Sequence, residues 1–525
     1  MMNDRNNNRG GFPVKGMIKA IAILCLIALL PAAAFADDSY SMRQDGFSTS
    51  YSYIYDYWGD VQEAPNPYRV STVIDSISIG LDKLDGKRMN KPQSLFVHNR
   101  ELYIADTFNN RIIQLHYDGK DFELIRVISE VKGGEPSTFN NPYDIAVDAD
   151  ENIYVADYFN YRVVMMDKDL NYIRSFTKPQ DSTYDQGLDF LPKKIAVDVA
   201  GRVYVLGANI NKGFIKYEAD GTFTGFIGAN PVSVNMAEYI WKRYFQTKEQ
   251  RAASQSFAPT EYENLYMDEE GFIYAVNTIF SEYDLKCDKA KPIRRLNSLG
   301  GDILIKNDRY PPIGDLWWIE QGTQYLGPTR FTDITVLKND IYVALDRTRG
   351  RLFGYDGQGI LLWAFGTRGN VEGAFTNAIS LEHMGYDLFV LDQVENSVTV
   401  FTPTEYGQMI YDANDTYLSG EYDRSAEIWQ DVMRMNANYP LAFRGIGRAI
   451  LRQDDFEGAM EYFKMAHDRE NYGRAFKLYR KEWIEKNILW IILVLAVILI
   501  VPLVIGRIKR AKWEVIMHEQ SKVRQ

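Results

Sequence analysis

A short apolar motif with an aromatic residue at its second position occurs six times between residues 102 and 392. The aromatic residues are Tyr103, Tyr154, Tyr204, Tyr274, Tyr342 and Phe389. They lie 51, 50, 70, 68 and 47 residues apart, so most of the chain divides into units of similar length. A repeat of this kind predicts an array of equivalent structural units instead of one irregular domain.

Each copy has further apolar segments on both sides. Residues 145–148 and 195–198 precede a copy, residues 162–166 follow one, and turn-forming residues such as 150–152 separate the segments. Short strands joined by tight turns form antiparallel sheets. One such sheet exposes two apolar faces to water, and packing several sheets around an axis buries those faces. The repeat therefore predicts an all-β six-bladed propeller over residues 68–403.

The motifs also resemble those of a known family. Ile145-Ala-Val-Asp148, Ile153-Tyr-Val-Ala-Asp157 and Asn160-Tyr-Arg162 match the pattern of the NHL-repeat β-propellers, and Asn109-Asn-Arg111 matches its last part. The match is close in the first two copies and looser in the other four. The resemblance implies a six-bladed propeller but no particular activity, because propellers serve as lyases, as lactonases and as binding modules.

The ends of the repeat region predict how the ring closes. The last copy ends at residues 398–401 without a fourth strand, while the apolar segment 68–74 precedes the first copy and has no blade of its own. We expect segment 68–74 to complete the last blade, and deletion of residues 68–79 to expose a sheet edge that promotes aggregation.

The two long spacings between copies indicate insertions. Residues 236–254 have apolar residues at helical spacing and predict a helix. Residues 286–325 contain an aromatic loop at 311–318. Loops on a rigid scaffold often carry recognition, but both insertions are equally consistent with simple packing against the sides of the blades.

A second repeat follows the propeller. Tyr422, Ser425, Trp429 and Val432 recur 34 residues later as Phe456, Ala459, Phe463 and Ala466. This period, with small and aromatic residues interleaved, resembles the tetratricopeptide repeat and predicts paired helices over residues 409–486. Gly445 and Gly447 lie inside this region, where small residues allow helices to pack closely. The repeats serve either as a partner-binding surface or as a spacer.

Two apolar segments predict the topology. Residues 1–36 combine a basic stretch, an apolar stretch and a final Ala-Phe-Ala, which is the pattern of a cleaved signal peptide. Residues 488–506 hold 19 residues without a charge and predict a transmembrane helix. Residues 37–67 are then an N-terminal extension and residues 507–525 a cytoplasmic tail. We expect a single-pass cell-membrane protein with a large extracytoplasmic region, anchored in the lipid bilayer by residues 488–506.

Charge and motifs exclude several functions. The formal charge of the whole chain is -11, and residues 1–36 carry +3 and residues 507–525 carry +4, so the remaining body carries -18. An acidic body repels phosphate backbones, so we expect no nucleic-acid partner. The sequence has no nucleotide-binding loop and no metalloprotease motif. We expect no cofactor, and surface or structural roles for His98 and His116.

The start of the innermost strand of each blade predicts the channel mouth. The residues at these positions are Ser94, Asp144, Lys194, Asn264, Asp333 and Ser380. We expect them to form a ligand-binding mouth with no catalytic residue and no bound metal. The alternative is a metal-dependent, lactonase-like hydrolase or lyase, because carboxylate and amide oxygens are the ligands that hard cations prefer.

The combined features favour a membrane-tethered binding or scaffold module over an enzyme. Its predicted ligand is a saccharide or a protein outside the membrane, since aromatic residues stack well on sugar rings and also fill protein interfaces. The arrangement of signal, propeller, helical repeats and C-terminal span resembles that of bacterial proteins accessory to carbohydrate uptake.

Overall fold

The computed structural model describes residues 52–56, 58–229, 262–278, 280, 290–306, 311–316, 319–321, 324–369 and 371–522. The predicted signal peptide at 1–36 and the predicted helix at 236–254 lie outside the described residues. Part of the aromatic loop at 311–318 is described.

The described strands are, in chain order, β1 (Ser52–Tyr55), β2 (Val61–Glu63), β3 (Tyr68–Ile74), β4 (Ser94–His98), β5 (Glu101–Asp106), β6 (Arg111–Tyr117), β7 (Phe122–Ile128), β8 (Pro142–Val147), β9 (Ile153–Asp157), β10 (Arg162–Met166), β11 (Tyr172–Phe176), β12 (Pro192–Val197), β13 (Val203–Gly207), β14 (Phe214–Tyr217), β15 (Phe223–Ile227), β16 (Tyr262–Met267), β17 (Ile273–Asn277), β18 (Ile293–Leu296), β19 (Ile319–Gln321), β20 (Gln324–Leu326), β21 (Phe331–Val336), β22 (Tyr342–Asp346), β23 (Arg351–Tyr355), β24 (Leu361–Phe365), β25 (Thr367–Arg368), β26 (Ala374–Phe375), β27 (Ala378–Met384), β28 (Asp387–Asp392) and β29 (Ser397–Pro403). The α-helices are α1 (Leu81–Asp85), α2 (Glu405–Leu418), α3 (Tyr422–Met435), α4 (Pro440–Arg452), α5 (Phe456–Met465) and α6 (Arg469–Lys522). Short 3-10 turns span Thr107–Asn109, Tyr158–Asn160 and Lys338–Asp340.

The strands form six antiparallel sheets arranged as blades. Blades 1 to 3 are β4–β7, β8–β11 and β12–β15; blade 4 is β16–β18, blade 5 contains β21–β24, and blade 6 contains β27–β29. The innermost strands β4, β8, β12, β16, β21 and β27 contact each other in that order, and β27 also contacts β4. The ring is therefore closed, and the predicted six-bladed β-propeller is confirmed.

The closing strand is the predicted one. Strand β3 pairs antiparallel with β29 as the fourth strand of blade 6, with Ile74 opposite Val398 and Tyr68 opposite Pro403. The two ends of the propeller sequence thus meet in one sheet, which closes the ring through backbone hydrogen bonds.

The repeated aromatic residue of each copy packs between neighbouring blades. All six are buried, with at most 3% of their surface exposed. Tyr103 packs with residues of blade 2, and Tyr154 packs with residues of blade 3. The feature that reveals the repeat in the sequence is therefore a part of the core that holds adjacent blades together.

Blade 5 is wider than the repeat predicts. Strand β1 pairs with the outer strand β24, with Ser52 opposite Phe365, and β2 pairs with β1. A buried carboxylate, Asp315, holds this addition in place: the hydroxyl of Tyr53 donates to it at 2.8 Å, and Arg349 donates at 2.6 Å. The described part of the 311–318 loop thus packs against the propeller.

Helices α2 to α6 run back and forth, and each packs against the next along the chain. Their apolar faces join the core of blades 5 and 6, where Trp429 and Ile446 share one cluster with Trp363 and Phe401. The hydroxyl of Tyr439 donates to the carbonyl of Leu362 at 2.7 Å. The helical region is therefore fused to the propeller.

Helix α6 continues without a break from the helical region to residue 522. Its segment Arg469–Met517 is long and apolar enough to cross a membrane, and its most apolar window is not buried in protein. The end of the predicted helical region at 409–486 and the expected span at 488–506 are thus parts of a single helix.

Candidate functional site at the open face of the propeller

The two faces of the disc carry different sets of turns, because neighbouring strands run in opposite directions. Turns between the first and second strands and between the third and fourth strands lie on one face. The helical region contacts that face: Asn339 donates to Asp415, and Arg448 donates to Gln358. The other face carries the turns between second and third strands and the start of each innermost strand. We call it the open face, because the described contacts of helices α2 to α6 with the propeller turns lie on the opposite face.

The structure brings the six predicted mouth residues together at the open-face end of the channel. In blades 1 to 3, the hydroxyl of Ser94 donates to the carboxylate of Asp144, and the ammonium of Lys194 lies 2.8 Å from the Ser94 hydroxyl and 3.4 Å from Asp144. The other Asp144 oxygen accepts the backbone N–H of Ile195 at 2.8 Å.

Blades 4 to 6 form the second half of the ring. The side-chain amide of Asn264 donates to Asp333, whose other oxygen accepts the backbone N–H of Leu381 at 2.7 Å. The hydroxyl of Ser380 accepts the backbone N–H of Leu95 at 3.1 Å, which links blade 6 to blade 1.

This ring connects neighbouring blades across the channel. Ser94, Asn264, Asp333 and Ser380 are buried, and Lys194 is the most accessible member. Their polar atoms pair with one another or with the backbone of the next blade, so the ring stabilises closure. Its contact with a ligand stays a prediction.

A further acidic residue lies deeper in the channel. Glu382 follows Ser380 by two residues on β27, and therefore points to the same side of the strand. Burial and the nearby carboxylate of Asp333 raise the pKa of Glu382 well above its usual range. Burial also raises the pKa of Asp333, to about 6. Burial lowers the pKa of Lys194, but the carboxylates of Asp144 and Asp333 more than compensate, so the net shift is upward.

Histidines and carboxylates do not converge into a recognisable metal centre. Within the described ranges, no three side chains of His, Cys, Asp or Glu are placed to hold one ion. His98 and His116 lie at the helix-facing end of blade 1, away from the mouth. His383 lies beside Thr335, with 2.7 Å between its Nδ1 and the threonine hydroxyl.

Exposed apolar side chains follow the rim of the open face on three consecutive blades. Phe108, Phe159 and Val394 occupy equivalent positions in the second-to-third turns of blades 1, 2 and 6, and are 48%, 46% and 55% exposed. Beside them, the rings of Tyr143 and Tyr158 stack with their centroids 4.3 Å apart. This aromatic rim was not predicted, although the Phe-Asn pairs of the motif were visible in the sequence.

Buried ion pairs fix the turns that carry these aromatic residues. Arg111 donates to Asp106 at 2.6 Å, and Arg162 donates to Asp157 at 2.9 Å. Asn160 also donates to Asp157, at 2.8 Å. The Asp, Asn and Arg of the repeated motif therefore form a clamp, and the residue between them is held on the surface.

A cleft of about 1310 Å³ separates the helical region from the turns of blades 4 to 6. Glu269 and Asp340 line its propeller wall, while Arg452 and Lys477 line its helical wall. The cleft exceeds the roughly 300–1,000 Å³ typical of small-molecule sites. A small ligand would leave most of it filled with water.

No protein-family model and no curated protein sequence matches this chain. Among solved structures, a streptogramin B lyase is similar at 13% identity over 67% of this chain and 85% of its own, with a TM-score of 0.34. Virginiamycin B lyase from Staphylococcus aureus is similar at 10% identity over 64% of this chain and 99% of its own, with a TM-score of 0.37. A gluconolactonase-like protein is similar at 9% identity over 65% of this chain and 94% of its own, with a TM-score of 0.35.

The chain is a six-bladed β-propeller protein with a small helical region and one candidate membrane span at its C-terminal end.

Proposed function

We propose that this protein is a membrane-anchored, non-enzymatic binding module that holds a saccharide or protein ligand on the open face of its propeller, over blades 6, 1 and 2. The observation that carries the proposal is the exposure of Phe108 and Phe159 on turns whose backbone is fixed by buried Asp–Arg pairs. Rigid aromatic side chains offer contact area at low entropic cost.

The chemistry of the rim suits a ligand with both apolar and polar faces. Aromatic rings stack on the apolar faces of sugar rings or on apolar side chains. Asn109 and Asn160 lie in the same turns, and Lys194 occupies the channel mouth beneath. The amide N–H groups of Asn109 and Asn160 are already donated within the propeller, so their side-chain oxygens can accept from ligand hydroxyls, while the ammonium of Lys194 can donate to ligand oxygens.

The first experiment tests the rim directly. The full-length protein in lipid nanodiscs is applied to glycan and peptide arrays, beside the double variant Phe108→Ala with Phe159→Ala. The matched control is Tyr172→Ala with Ile125→Ala, two exposed apolar residues on outer strands. We expect the rim variant to lose at least tenfold in affinity for the selected ligand and the control to bind as the wild type does. Equal binding by all three proteins would contradict the proposal.

We further propose that the blades are of the NHL type, that the helix pairs α2–α3 and α4–α5 are of the tetratricopeptide type, and that the disc lies outside the cytoplasm. The Asp–Asn–Arg clamp and the 34-residue spacing support the two repeat types. A predicted cleavable signal ahead of residue 37 supports the orientation. Protease added to intact cells should digest the propeller and leave the tail, whereas protection of the propeller would reverse the topology.

The membrane anchor has its own test. The variant Leu495→Arg with Ile498→Arg places two charges in the apolar window, and each charge at the centre of a span costs about 2.5–3.5 kcal/mol on insertion scales. We expect this variant to be extracted by alkaline carbonate. The control Leu478→Arg, on the same helix before the apolar segment, should stay with the membrane.

A second candidate function is catalysis in the channel, either as a lactonase-like hydrolase or as a lyase. The raised pKa values of Asp333 and Glu382 beside Lys194 favour it, because groups with shifted pKa values often perform proton transfer. Turnover of lactones that disappears in Asp333→Asn and responds to a chelator would support this function. A ligand-binding protein without such turnover would support the first proposal.

A further inference from the structure

A second, smaller pocket lies between blades 1 and 2 on the face opposite the open face. Its volume is about 400 Å³, and its wall includes His98, Arg100, His116, Arg126 and Lys168. It shares no residue with the large cleft beneath blades 4 to 6. The pocket is therefore separate both from the proposed ligand site and from the contact with the helices.

Blade 1 differs from blades 2 to 4 at this pocket. In blades 2, 3 and 4, the first strand is followed by Asp148, Asp198 or Asp268, whose Oδ1 accepts two backbone N–H groups of the next turn at 2.8 to 3.0 Å. In blade 1 the equivalent residue is His98. The turn is also one residue shorter, because Val97 pairs with Leu102 while Val147 pairs with Ile153.

The missing aspartate is replaced by a different acceptor. In blades 2 and 3 the hydroxyls of Tyr154 and Tyr204 donate to the turn aspartate, at 3.0 and 3.2 Å. In blade 1, the hydroxyl of Tyr103 donates to Glu101 at 2.6 Å, and Gln114 donates to the same oxygen at 2.7 Å. Glu101 thus takes the place of the aspartate as acceptor of the tyrosine hydroxyl, and the side chain at position 98 is not needed for that hydrogen bond.

The same hydrogen-bond network also fixes the orientation of the Arg126 guanidinium. Arg126 donates through Nε to the side-chain oxygen of Gln114 at 2.6 Å and through Nη1 to the carbonyl of Lys168 at 2.8 Å. His98 and His116 lie directly opposite Glu101 on the two neighbouring strands, so all three point to the same side of the sheet. The pocket thus has a satisfied polar floor and N–H donors around it.

The net positive charge of the pocket wall favours an anionic ligand. Arg100, Arg126 and Lys168 supply three positive charges against the carboxylates of Glu101 and Glu151. Glu101 is already hydrogen-bonded to Tyr103 and Gln114, and Glu151 lies 3.4 Å from Lys168. A net positive wall is unusual in a body whose formal charge is -18. Guanidinium and ammonium groups pair with carboxylate or phosphate oxygens.

We propose that this pocket binds a small oxyanion, a carboxylate or phosphate group, through Arg100, Arg126 and Lys168, with the imidazoles of His98 and His116 as additional donors. Because His98 stands where blades 2 to 4 carry an aspartate, the carboxylates of the wall are those of Glu101 and Glu151, and the three basic side chains outnumber them.

The test uses full-length protein in nanodiscs and isothermal titration calorimetry with inorganic phosphate, and separately with citrate. We expect saturable binding of at least one probe, and the difference between the two identifies the preferred oxyanion. Arg100→Gln with Lys168→Gln should weaken binding at least tenfold. The control Lys120→Gln with Arg424→Gln removes the same charge from exposed sites elsewhere and should change binding less than twofold.

A reversal variant separates binding from folding. His98→Asp restores the residue type of blades 2 to 4 and adds a carboxylate to the wall, so the fold should be retained and oxyanion binding lost. The proposal is overturned if neither phosphate nor citrate shows saturable binding. Equal loss in the control pair, or unchanged binding in His98→Asp, would overturn it as well.

Discussion

The hydroxyls of Tyr68 and Tyr411 are 2.7 Å apart and buried, although the two residues are 343 positions apart in the chain. Tyr68 begins the strand that closes the propeller, and Tyr411 lies in the first helix after it. Ring closure and attachment of the helices therefore meet at one point. A change that loosens either one is expected to loosen the other.

The closing strand should contribute strongly to stability. Ile74 on β3 is 2% exposed, while its neighbour Val73 points outward and is 42% exposed. We expect Ile74→Ala to lower the free energy of unfolding by about 2–5 kcal/mol, because it leaves a cavity in the core of blades 6 and 1. Val73→Ala should cost less than about 1 kcal/mol. Urea unfolding of the full chain in detergent measures both, and equal effects would contradict closure by β3.

The clamp beneath the aromatic rim makes a separate prediction. Asp157→Ala leaves the guanidinium of Arg162 buried without its partner, which typically costs about 3–5 kcal/mol. The control Asp431→Asn breaks an exposed pair with Arg434 and should cost less than about 1 kcal/mol. Since Asp157 also accepts the backbone N–H of Asn140, the first variant should weaken ligand binding on the open face. A stable Asp157→Ala protein would show that the pair is not needed.

Two helical glycines should respond in opposite directions. A Cβ at Gly445 would lie 2.3 Å from Nε1 of Trp429, whereas a Cβ at Gly473 would meet no atom within 4 Å. Gly445→Ala should therefore destabilise the helical region by about 1–3 kcal/mol. Gly473→Ala should stabilise it by about 0.5–1 kcal/mol, through lower chain entropy. Thermal unfolding compares the two, and stabilisation by both would mean that helices α3 and α4 are not in close contact.

A pH dependence follows from His383. Burial lowers the pKa of its imidazole from 6.5 to about 4. The unfolded chain therefore takes up a proton at a higher pH than the folded chain does, and stability is lost as the pH falls from about 6.5 to about 4. The loss is about 3 kcal/mol for this group, on the order of the shift in pKa.

The variant His383→Asn isolates this contribution. Asparagine does not titrate and can keep a hydrogen bond to Thr335. The difference in unfolding free energy between wild type and variant should change by about 3 kcal/mol between pH 7 and pH 4. Carboxyl groups such as Asp333 titrate in both proteins, so their effect cancels. A constant difference across this range would contradict a buried neutral imidazole.

The period of the repeat explains why much of the fold could be predicted. Equivalent positions of a closed ring lie at the same height around the axis, so the amino-acid sequence alone places Ser94 and Asp333 together. The same reasoning extended by two residues would have found Glu382, since alternate residues of a strand share one side.

The missing parts depend on long-range contacts. The alternating Tyr53 and Tyr55 indicate a strand, but its place on the edge of blade 5 depends on Asp315, which lies about 260 residues later. Fusion of the helices to blades 5 and 6 likewise depends on Trp363 and Tyr439, which no local period connects. Periodicity predicts the elements, while pairing between distant polar and aromatic groups decides where they attach.

Helix α6 packs against helix α5 at Ala475 and runs on through its apolar segment without a break. Because helix α6 is continuous, a tilt of its apolar segment also tilts the part that is attached to the helical region at Ala475. A change in lipid thickness or a neighbouring transmembrane helix that tilts α6 would therefore tilt the propeller and change the direction in which the aromatic rim points. Under the proposed function, the C-terminal helix therefore sets the direction of the binding surface as well as its height above the membrane.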